Sequence, residues 1–532
     1  MTYLCVPIPV LSAEQARRDI ALAAEWGADL VELRIDAFDG WSDPSVEPED
    51  AKLADLMAID DVLEHCIIPC IVTCRPATEG GSWEGSETRR LALLKAIAAS
   101  GAAAYVDLEW SSHEAQAAFS QTIHDDTRLI LSSHSFEGRP DRLYNLLSEM
   151  SAAGAEVIKI AWMARSLRDN IEAFEILEHR STRTIAICMG EAGTVSRILA
   201  KKFNAFLTFA SLRDSSATAP GQVTIQQLKD LYRWDAIKPS TRVYGVVAHP
   251  VGHSMSPAIH NAAMQATGFD GVYLPLLVQP GYESFKAFME SFVPFEPLDL
   301  SGLSITLPHK ENALRYLKEK GGEIEELADR IGAVNTILIG RSGPRINLRG
   351  LNTDYAAILD SLTATLNIDR PALAKYRVAV LGAGGTGRTA VAALAHLGAS
   401  VAVFNRTPER AAALASEFNG HAGKVTATPW DQIASSDCQI FINTTSVGMS
   451  PNADAIPWGS HPPKLTADHV VFDTIYNPME TRLLKEAKAA GAKTIGGVEM
   501  FVRQAAAQFE AWTGTAAPIE IMRKVVEGRL GS

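Results

Sequence analysis

Short apolar runs alternate with amphipathic stretches through the first 235 residues. Runs at 3–10, 29–35, 67–74, 103–108, 128–132, 156–161, 184–188 and 205–209 read as eight strands. Between them, 13–26, 87–99, 139–153 and 167–179 read as helices, and a further helical stretch at 224–233 follows the eighth strand. Eight strand–helix units of this size predict a closed (β/α)8 TIM barrel over residues 1–235. Residues 234–241 contain Lys238-Pro239-Ser240 and no apolar period, and read as a short linker.

A new strand at 243–247 opens an α/β region that runs to about residue 351. A buried strand at 376–381 then leads directly into Gly382-Ala383-Gly384-Gly385-Thr386-Gly387-Arg388 and a helix at 389–397. Strand, glycine turn and helix N-terminus together form a phosphate cradle, because backbone N–H groups face the anion and absent side chains let it approach. The next strand, 400–404, ends in Asn405-Arg406-Thr407. An NAD site would place an acidic residue here for the ribose 2′-hydroxyl. The charge is reversed, and Arg406 with Arg410 suits a 2′-phosphate, so the expected cofactor is NADP(H). The tail at 498–513 reads as a helix that packs back on the 242–351 region.

The chain of 532 residues is too long for one ordinary domain. Its net charge of −13 argues against non-specific association with nucleic acid or an anionic membrane. No run of about 18 apolar residues predicts a transmembrane helix. The apolar start, residues 1–11, reads as a first strand rather than a signal peptide. Six cysteines do not suggest a disulfide framework, and a cytoplasmic location is the simplest setting. His65, Cys66, Cys70 and Cys74 lack paired metal-ligand spacing, and the thiols read as small core residues.

The polar residues of the barrel half fall at strand ends or point inward. Alternation puts Glu32 and Arg34 on one face of their strand, a costly place for charges unless they hold each other or a ligand. Arg75 ends the third strand, His134 follows the fifth and Arg197 follows the seventh. Lys159 shares a face with Val157 and Ala161. Two readings stand open for it: a desolvated amine available as a nucleophile toward a ketone, or a structural lysine paired with Glu32 or another acid. His134 alone reads as a satisfied core histidine more readily than as a catalyst.

Glu32-Leu33-Arg34, Arg75 with Glu79-Gly80-Gly81, Ser133-His134, Lys159-Ile160-Ala161 and Ala219-Pro220-Gly221-Gln222 occur in order across this half. In these motifs it resembles type I 3-dehydroquinate dehydratase. The resemblance implies a Schiff base between Lys159 and a substrate ketone, with His134 as general base and acid and Glu79 orienting it. It further implies that Arg197 clamps the carboxylate and that Glu32, Arg34, Arg75, Thr218 and Gln222 bind the ring. Thr218 stands where the family usually has Ser. The glycine-rich stretches 79–85 and 215–221 are lid candidates.

In the second half, His249-Pro250-Val251-Gly252-His253-Ser254-Met255-Ser256-Pro257 precedes a helix, with Ser256 and Pro257 reading as N-cap and N1. Ser304-Ile305-Thr306-Leu307-Pro308-His309-Lys310, Asn335-Thr336, Asn352-Thr353-Asp354 and Asn443-Thr444-Thr445 place polar groups at several strand ends. These motifs resemble shikimate dehydrogenase. The resemblance implies that Lys310 and Asp354 form the catalytic pair. Ser254 and Ser256 would bind the carboxylate, and Thr306, Asn335, Tyr476 and Gln504 the ring. Gly382, Ala383, Gly384, Gly385, Thr386, Gly387, Asn405, Arg406, Thr407, Arg410, Thr445 and Gly497 would hold the cofactor. Ser304 stands where many bacterial members have Asn.

The whole chain thus resembles bifunctional 3-dehydroquinate dehydratase–shikimate dehydrogenases. The implied layout is a dehydratase barrel over 1–235, a substrate-binding lobe over 242–353 with the C-terminal helix 497–532, and a Rossmann NADP-binding lobe over 354–496. The implied partners are the small molecules 3-dehydroquinate, 3-dehydroshikimate and shikimate, without nucleic acid or membrane. Two alternatives remain at this point, a catalytically silent sensor on the same folds and a second half that acts on quinate.

Overall fold

The computed structural model describes all residues except 39–40, 42–58, 116–118, 120, 217, 253, 344, 421, 460, 461 and 532. By internal contact the chain divides into two units. One comprises Met1–Arg242, Asp270–Gln279 and Ala287–Asp299; the other comprises Val243–Phe269, Pro280–Lys286 and Leu300–Ser532.

The first unit contains eight strands. They are β1 (Tyr3–Pro9), β2 (Leu30–Arg34), β3 (Cys70–Thr73), β4 (Tyr105–Glu109), β5 (Arg128–Ser135), β6 (Val157–Met163), β7 (Arg183–Met189) and β8 (Leu207–Phe209). They run in the order β7-β6-β5-β4-β3-β2-β1-β8. At the join between the sheet's two edges, Phe206 N–H donates to the Thr184 carbonyl at 2.9 Å, so the barrel is nearly closed. The barrel forms because each strand puts an apolar residue inward at one level. Cys5, Leu30, Ile71, Ile130, Val157 and Ile185 pack together there. Side chains two positions further along share that face, and there four of these strands turn polar: Glu32, Thr73, Ser132 and Lys159. An apolar floor beneath a polar layer toward the C-terminal strand ends is the usual setting of a barrel site.

His134 lies within β5, one residue before its end, rather than after the strand. The strand extends that far because His134 pairs in register with Ala161 of the long neighbour β6. Arg197 is carried by a short helix, Thr194–Ile198. The stretch expected to be a helix at 224–233 contains a π-type turn at Gln227–Leu231. The segment expected to be a plain linker is anchored: Trp234 is buried, and Lys202 Nζ donates to the carbonyls of Pro239 (2.9 Å) and Thr241 (2.8 Å).

Two further sheets follow. The first, in the order β10-β9-β11-β13-β14-β12, uses β9 (Arg242–Ala248), β10 (Gly271–Leu277), β11 (Leu300–Ile305), β12 (Glu323–Ile324), β13 (Thr336–Ser342) and β14 (Arg345–Leu351). The second, β17-β16-β15-β18-β19-β20, is wholly parallel and uses β15 (Arg377–Leu381), β16 (Ser400–Phe404), β17 (Val425–Thr428), β18 (Ile440–Asn443), β19 (Val470–Asp473) and β20 (Lys493–Ile495). That is the doubly wound order in which the chain reverses direction between β15 and β18, where such sheets bind ligands. The glycine turn leaves β15 at this switch point and starts the helix Gly385–His396. Gly382 adopts φ +110°, and a Cβ on Gly387 would stand 2.2 Å from the Gly382 carbonyl oxygen.

The helix Gly497–Thr513 lies against the β9–β14 sheet. Gln508 accepts from Ser304 Oγ at 2.8 Å and donates to Thr336 Oγ1 at 3.0 Å, and Trp512 Nε1 donates to the Ile337 carbonyl at 3.2 Å. The C-terminal helix expected over 497–532 is two helices, Gly497–Thr513 and Ile519–Gly531, separated after Gly514.

The close approach at Gly387 leaves no room for a methyl group. Gly387→Ala is expected to destabilise the second unit by about 1–3 kcal/mol through overpacking, read as a lowered urea midpoint. An unchanged midpoint would contradict the packing described here.

Candidate functional site

Two cavities, one in each unit, gather the polar residues singled out by the sequence. The barrel cavity is lined by Glu32, Arg34, Arg75, Glu79, His134, Lys159, Arg197, Thr218 and Gln222, together with apolar groups that include Phe209. All nine of these polar residues were anticipated. The surrounding supports were not.

Lys159 projects from β6 into a buried charge cluster. Its Nζ donates to Glu32 Oε1 at 3.1 Å and to Asp107 Oδ2 at 3.0 Å, and lies 4.6 Å from the centre of the Phe209 ring. Lys159 is therefore paired, with two acids rather than one, and still borders the cavity. Thr73 Oγ1 also donates to Glu32 Oε1, at 3.0 Å. Arg75 lies beyond the end of β3 and donates to Glu109 Oε1 (2.6 Å), Ser132 Oγ (2.8 Å) and Asp107 Oδ2 (3.0 Å). Glu109 in turn accepts from Arg90. Arg34 forms a two-pronged pair with Asp36, at 2.9 and 2.8 Å.

Burial opposes charge throughout this cluster, and the outcome depends on the neighbours. The Asp107 carboxyl is desolvated, but Arg75 and Lys159 hold it well below the usual carboxylate range. Glu109 and Glu79 are pushed upward by burial despite Arg75. His134 is driven well below its ordinary 6.5, first by burial and then by the cations Arg75 and Lys159. Its Nδ1 lies 3.2 Å from Glu79 Oε2, and Ser111 Oγ holds the other Glu79 oxygen at 2.9 Å. A neutral imidazole with Nδ1–H donating to Glu79 keeps Nε2 as its basic nitrogen. Among the described residues, buried Arg197 has no carboxylate partner and its Nε has no acceptor; burial brings it down to about 10. An unsatisfied buried guanidinium lining a cavity is chemically suited to a ligand anion. Thr218 and Gln222 bond one another, through Thr218 N–H to Oε1 (2.8 Å) and Nε2 to Oγ1 (3.2 Å). Ala217, within one lid candidate, lies outside the described residues.

The second cavity, about 460 Å³, is lined by Ser254, Ser256, Ser304, Thr306, Lys310, Asn335, Asp354, Tyr476, Gly497 and Gln504. Thr386 of the glycine turn borders it too, as do Thr474 and Gln508, which the sequence reading did not single out. Lys310 Nζ and Asp354 Oδ2 stand 2.6 Å apart. Each sits in the first turn of a helix, Lys310–Lys320 and Thr353–Leu366. Asn352 caps the second helix by accepting from Asp354 N–H at 3.1 Å, which fixes where the carboxylate starts. Asn335 Oδ1 accepts from Thr353 N–H (2.8 Å) and Thr336 Oγ1 (2.7 Å).

One local expectation fails. Met255, not Ser256, occupies the N-cap of the helix Ser256–Thr267, and Ser256 is its first residue. Ser254 Oγ accepts from Ser256 N–H at 3.3 Å, so the serine that meets an orphan donor lies two residues upstream. His253 lies outside the described residues.

At the dinucleotide turn, Asn405 Oδ1 accepts from Ala383 N–H at 3.0 Å and Asn405 Nδ2 donates to the Thr407 carbonyl at 2.8 Å. Asn405 thus ties the end of β16 to the glycine turn. Arg406 and Arg410 are exposed beyond it. Thr445 Oγ1 donates to Asn443 Oδ1 at 2.7 Å. A narrow glycine cradle beside exposed arginines fits a phosphorylated dinucleotide.

The type I 3-dehydroquinase family matches residues 4–239. The shikimate dehydrogenase substrate binding domain matches 246–337, shikimate / quinate 5-dehydrogenase 364–450, and the shikimate 5′-dehydrogenase C-terminal domain 497–527. The chloroplastic bifunctional 3-dehydroquinate dehydratase/shikimate dehydrogenase of Arabidopsis thaliana is 37% identical over 99% of this chain and 84% of its own length. The chain belongs to the bifunctional 3-dehydroquinate dehydratase/shikimate dehydrogenase family. A shikimate dehydrogenase (NADP(+)) of Methanosarcina acetivorans is 40% identical over 54% of the chain and 97% of its own length. A solved dehydroquinate dehydratase and shikimate dehydrogenase from S. pombe covers 99% of this chain and 98% of its own at 26% identity, with a TM-score of 0.45.

The neutral state of His134 can be tested through stability. In the unfolded dehydratase–dehydrogenase chain it titrates near 6.5, above its folded value. As the pH falls from 6.5, the unfolded chain binds a proton that the folded chain refuses, so stability is lost on the acid side. His134→Gln should remove that loss, by up to about 1.4 kcal/mol per pH unit. Urea unfolding of both proteins between pH 7 and 5 reads it, and a pH-independent difference would contradict a neutral His134.

Proposed function

We propose that the chain catalyses two consecutive steps, the dehydration of 3-dehydroquinate in the barrel and the NADPH-dependent reduction of the product, 3-dehydroshikimate, to shikimate in the second unit. The observation that carries this reading is that buried Lys159 and Glu79-held His134 line one cavity while a Lys–Asp pair lines the other.

In the barrel, the Lys159 amine condenses with the C3 ketone. The resulting protonated imine is an electron sink that acidifies the neighbouring C2–H. His134 Nε2 takes that proton, Glu79 steadies the imidazolium through Nδ1, and the same proton then leaves with the C1 hydroxyl as water. Arg197 holds the substrate carboxylate, and Glu32, Arg34, Arg75, Thr218 and Gln222 meet the ring. A silent sensor would have no use for a lysine and a basic imidazole at one cavity wall.

In the second unit, the glycine turn and Arg406 with Arg410 hold NADPH, which supplies hydride when bound. Ser254 and Ser256 hold the carboxylate, while Thr306, Asn335, Tyr476 and Gln504 orient the ring. Lys310 donates a proton to the carbonyl oxygen as it gains charge, and Asp354 positions that ammonium. Thr445 and Gly497 border the cofactor. The domain layout that goes with these roles is 1–235, 242–353 with 497–532, and 354–496. The chain works in the cytoplasm, a reducing setting in keeping with six free cysteines, five of them buried.

The two half-reactions separate the assignments. Lys159→Met should abolish shikimate formation from 3-dehydroquinate and leave reduction of 3-dehydroshikimate intact. Lys310→Met should leave dehydration intact and slow reduction by about 10²–10⁴-fold. Loss of both activities in either well-folded variant would overturn the assignment. Arg406→Asp should weaken NADPH far more than NADH in steady-state kinetics; equal loss would remove Arg406 from 2′-phosphate recognition.

A further inference from the structure

We propose that Asp107 is the counter-ion of the reacting nitrogen in the barrel, a positioning residue that holds Lys159 at rest and the iminium after condensation. This rests on the reading of Lys159 as the condensing amine.

Asp107 is fully buried on β4, and both of its oxygens are fixed. Oδ2 accepts from Lys159 Nζ (3.0 Å) and Arg75 (3.0 Å), and Oδ1 accepts from Ser132 Oγ (2.5 Å). The donors come from β6, from two residues beyond β3 and from β5, so the barrel itself fixes the carboxylate. Glu32, the other acid on Lys159, lines the substrate cavity, whereas Asp107 is absent from its wall. An entering ring therefore meets Glu32 at the wall, while Asp107 has no exposed surface.

The chemistry requires a constant anion. An ammonium and a ketone give an iminium and water; two nitrogen-bound protons leave with the ketone oxygen, and the nitrogen is cationic before and after. Of the two acids paired with Lys159, only the one shielded from substrate can serve both states. Its charge is secure, because Arg75 and Lys159 hold the carboxyl ionised against the cost of burial.

The charged and titratable groups around Lys159 are Glu32 and Arg34 of β2, Cys5 of β1, Arg75 and Glu79 after β3, Asp107 of β4, His134 of β5 and Arg197, and Glu109 of β4 pairs with Arg75. Removing one adjacent anion from this set frees the neutral amine at lower pH.

The experiment uses the full-length chain with 3-dehydroquinate and borohydride, and follows the rate of covalent adduct formation against pH. In Asp107→Asn the rising limb should move to lower pH by about 1–3 units, and the adduct fraction at steady state should fall. Ser132→Ala keeps the charge but loses one restraint, so its limb should stay in place while kcat falls about threefold or more. A folded Asp107→Asn protein with an unmoved limb overturns the proposal. If that variant does not fold, an unchanged kcat in Ser132→Ala overturns it. Absence of any adduct in the unaltered chain would defeat the reading of Lys159 itself, which separates the two failures.

Discussion

The barrel depends on one constraint: charges placed inside it must neutralise one another without filling the space that a substrate needs. Lys159 meets Glu32 and Asp107, Arg75 meets Asp107 and Glu109, and Arg90 reaches Glu109 from outside the ring. Breaking a buried pair leaves an uncompensated charge, typically at a cost of about 3–5 kcal/mol. The network is therefore both structural and chemical. It keeps the amine at the cavity wall, and burial together with its cations keeps His134 neutral and so free to accept a proton.

The second unit meets a different constraint, close approach. The turn after β15 is held tight because Gly382 takes a positive φ and Gly387 leaves room for the Gly382 carbonyl. The same edge of the molecule brings Thr386 to a cavity whose opposite residues, Lys310 and Asp354, start two helices. In the proposed reduction, hydride source and proton source meet at this one cavity.

The features legible in the sequence are those that depend on local periodicity. Alternation along β2 and β6 placed Glu32, Arg34 and Lys159 on inward faces, and the strand–glycine–helix order located the dinucleotide turn. Asp107 and Glu109 alternate in the same way along β4, yet they passed unnoticed. Their meaning comes from register, which sets Asp107 beside Thr73 and Glu109 beside Ser132. Gln508 was missed for a similar reason: its partners Ser304 and Thr336 lie 204 and 172 residues away. The cap at Met255 was misassigned because Ser254 and Ser256 offer the same hydroxyl, and only the backbone shows which one meets the orphan N–H. Family resemblance supplied roles for residues such as Arg197, whose unsatisfied buried guanidinium no local pattern reveals.

In the proposed dehydration a lysine on β6 bonds covalently to the substrate while its neighbours manage the protons. The most direct measurement is peptide mapping by mass spectrometry after borohydride quenching of the chain in steady state with 3-dehydroquinate. The account predicts one reduced adduct, on the peptide containing Lys159. An unmodified peptide under conditions of continuing turnover, or an adduct on another lysine, would contradict it.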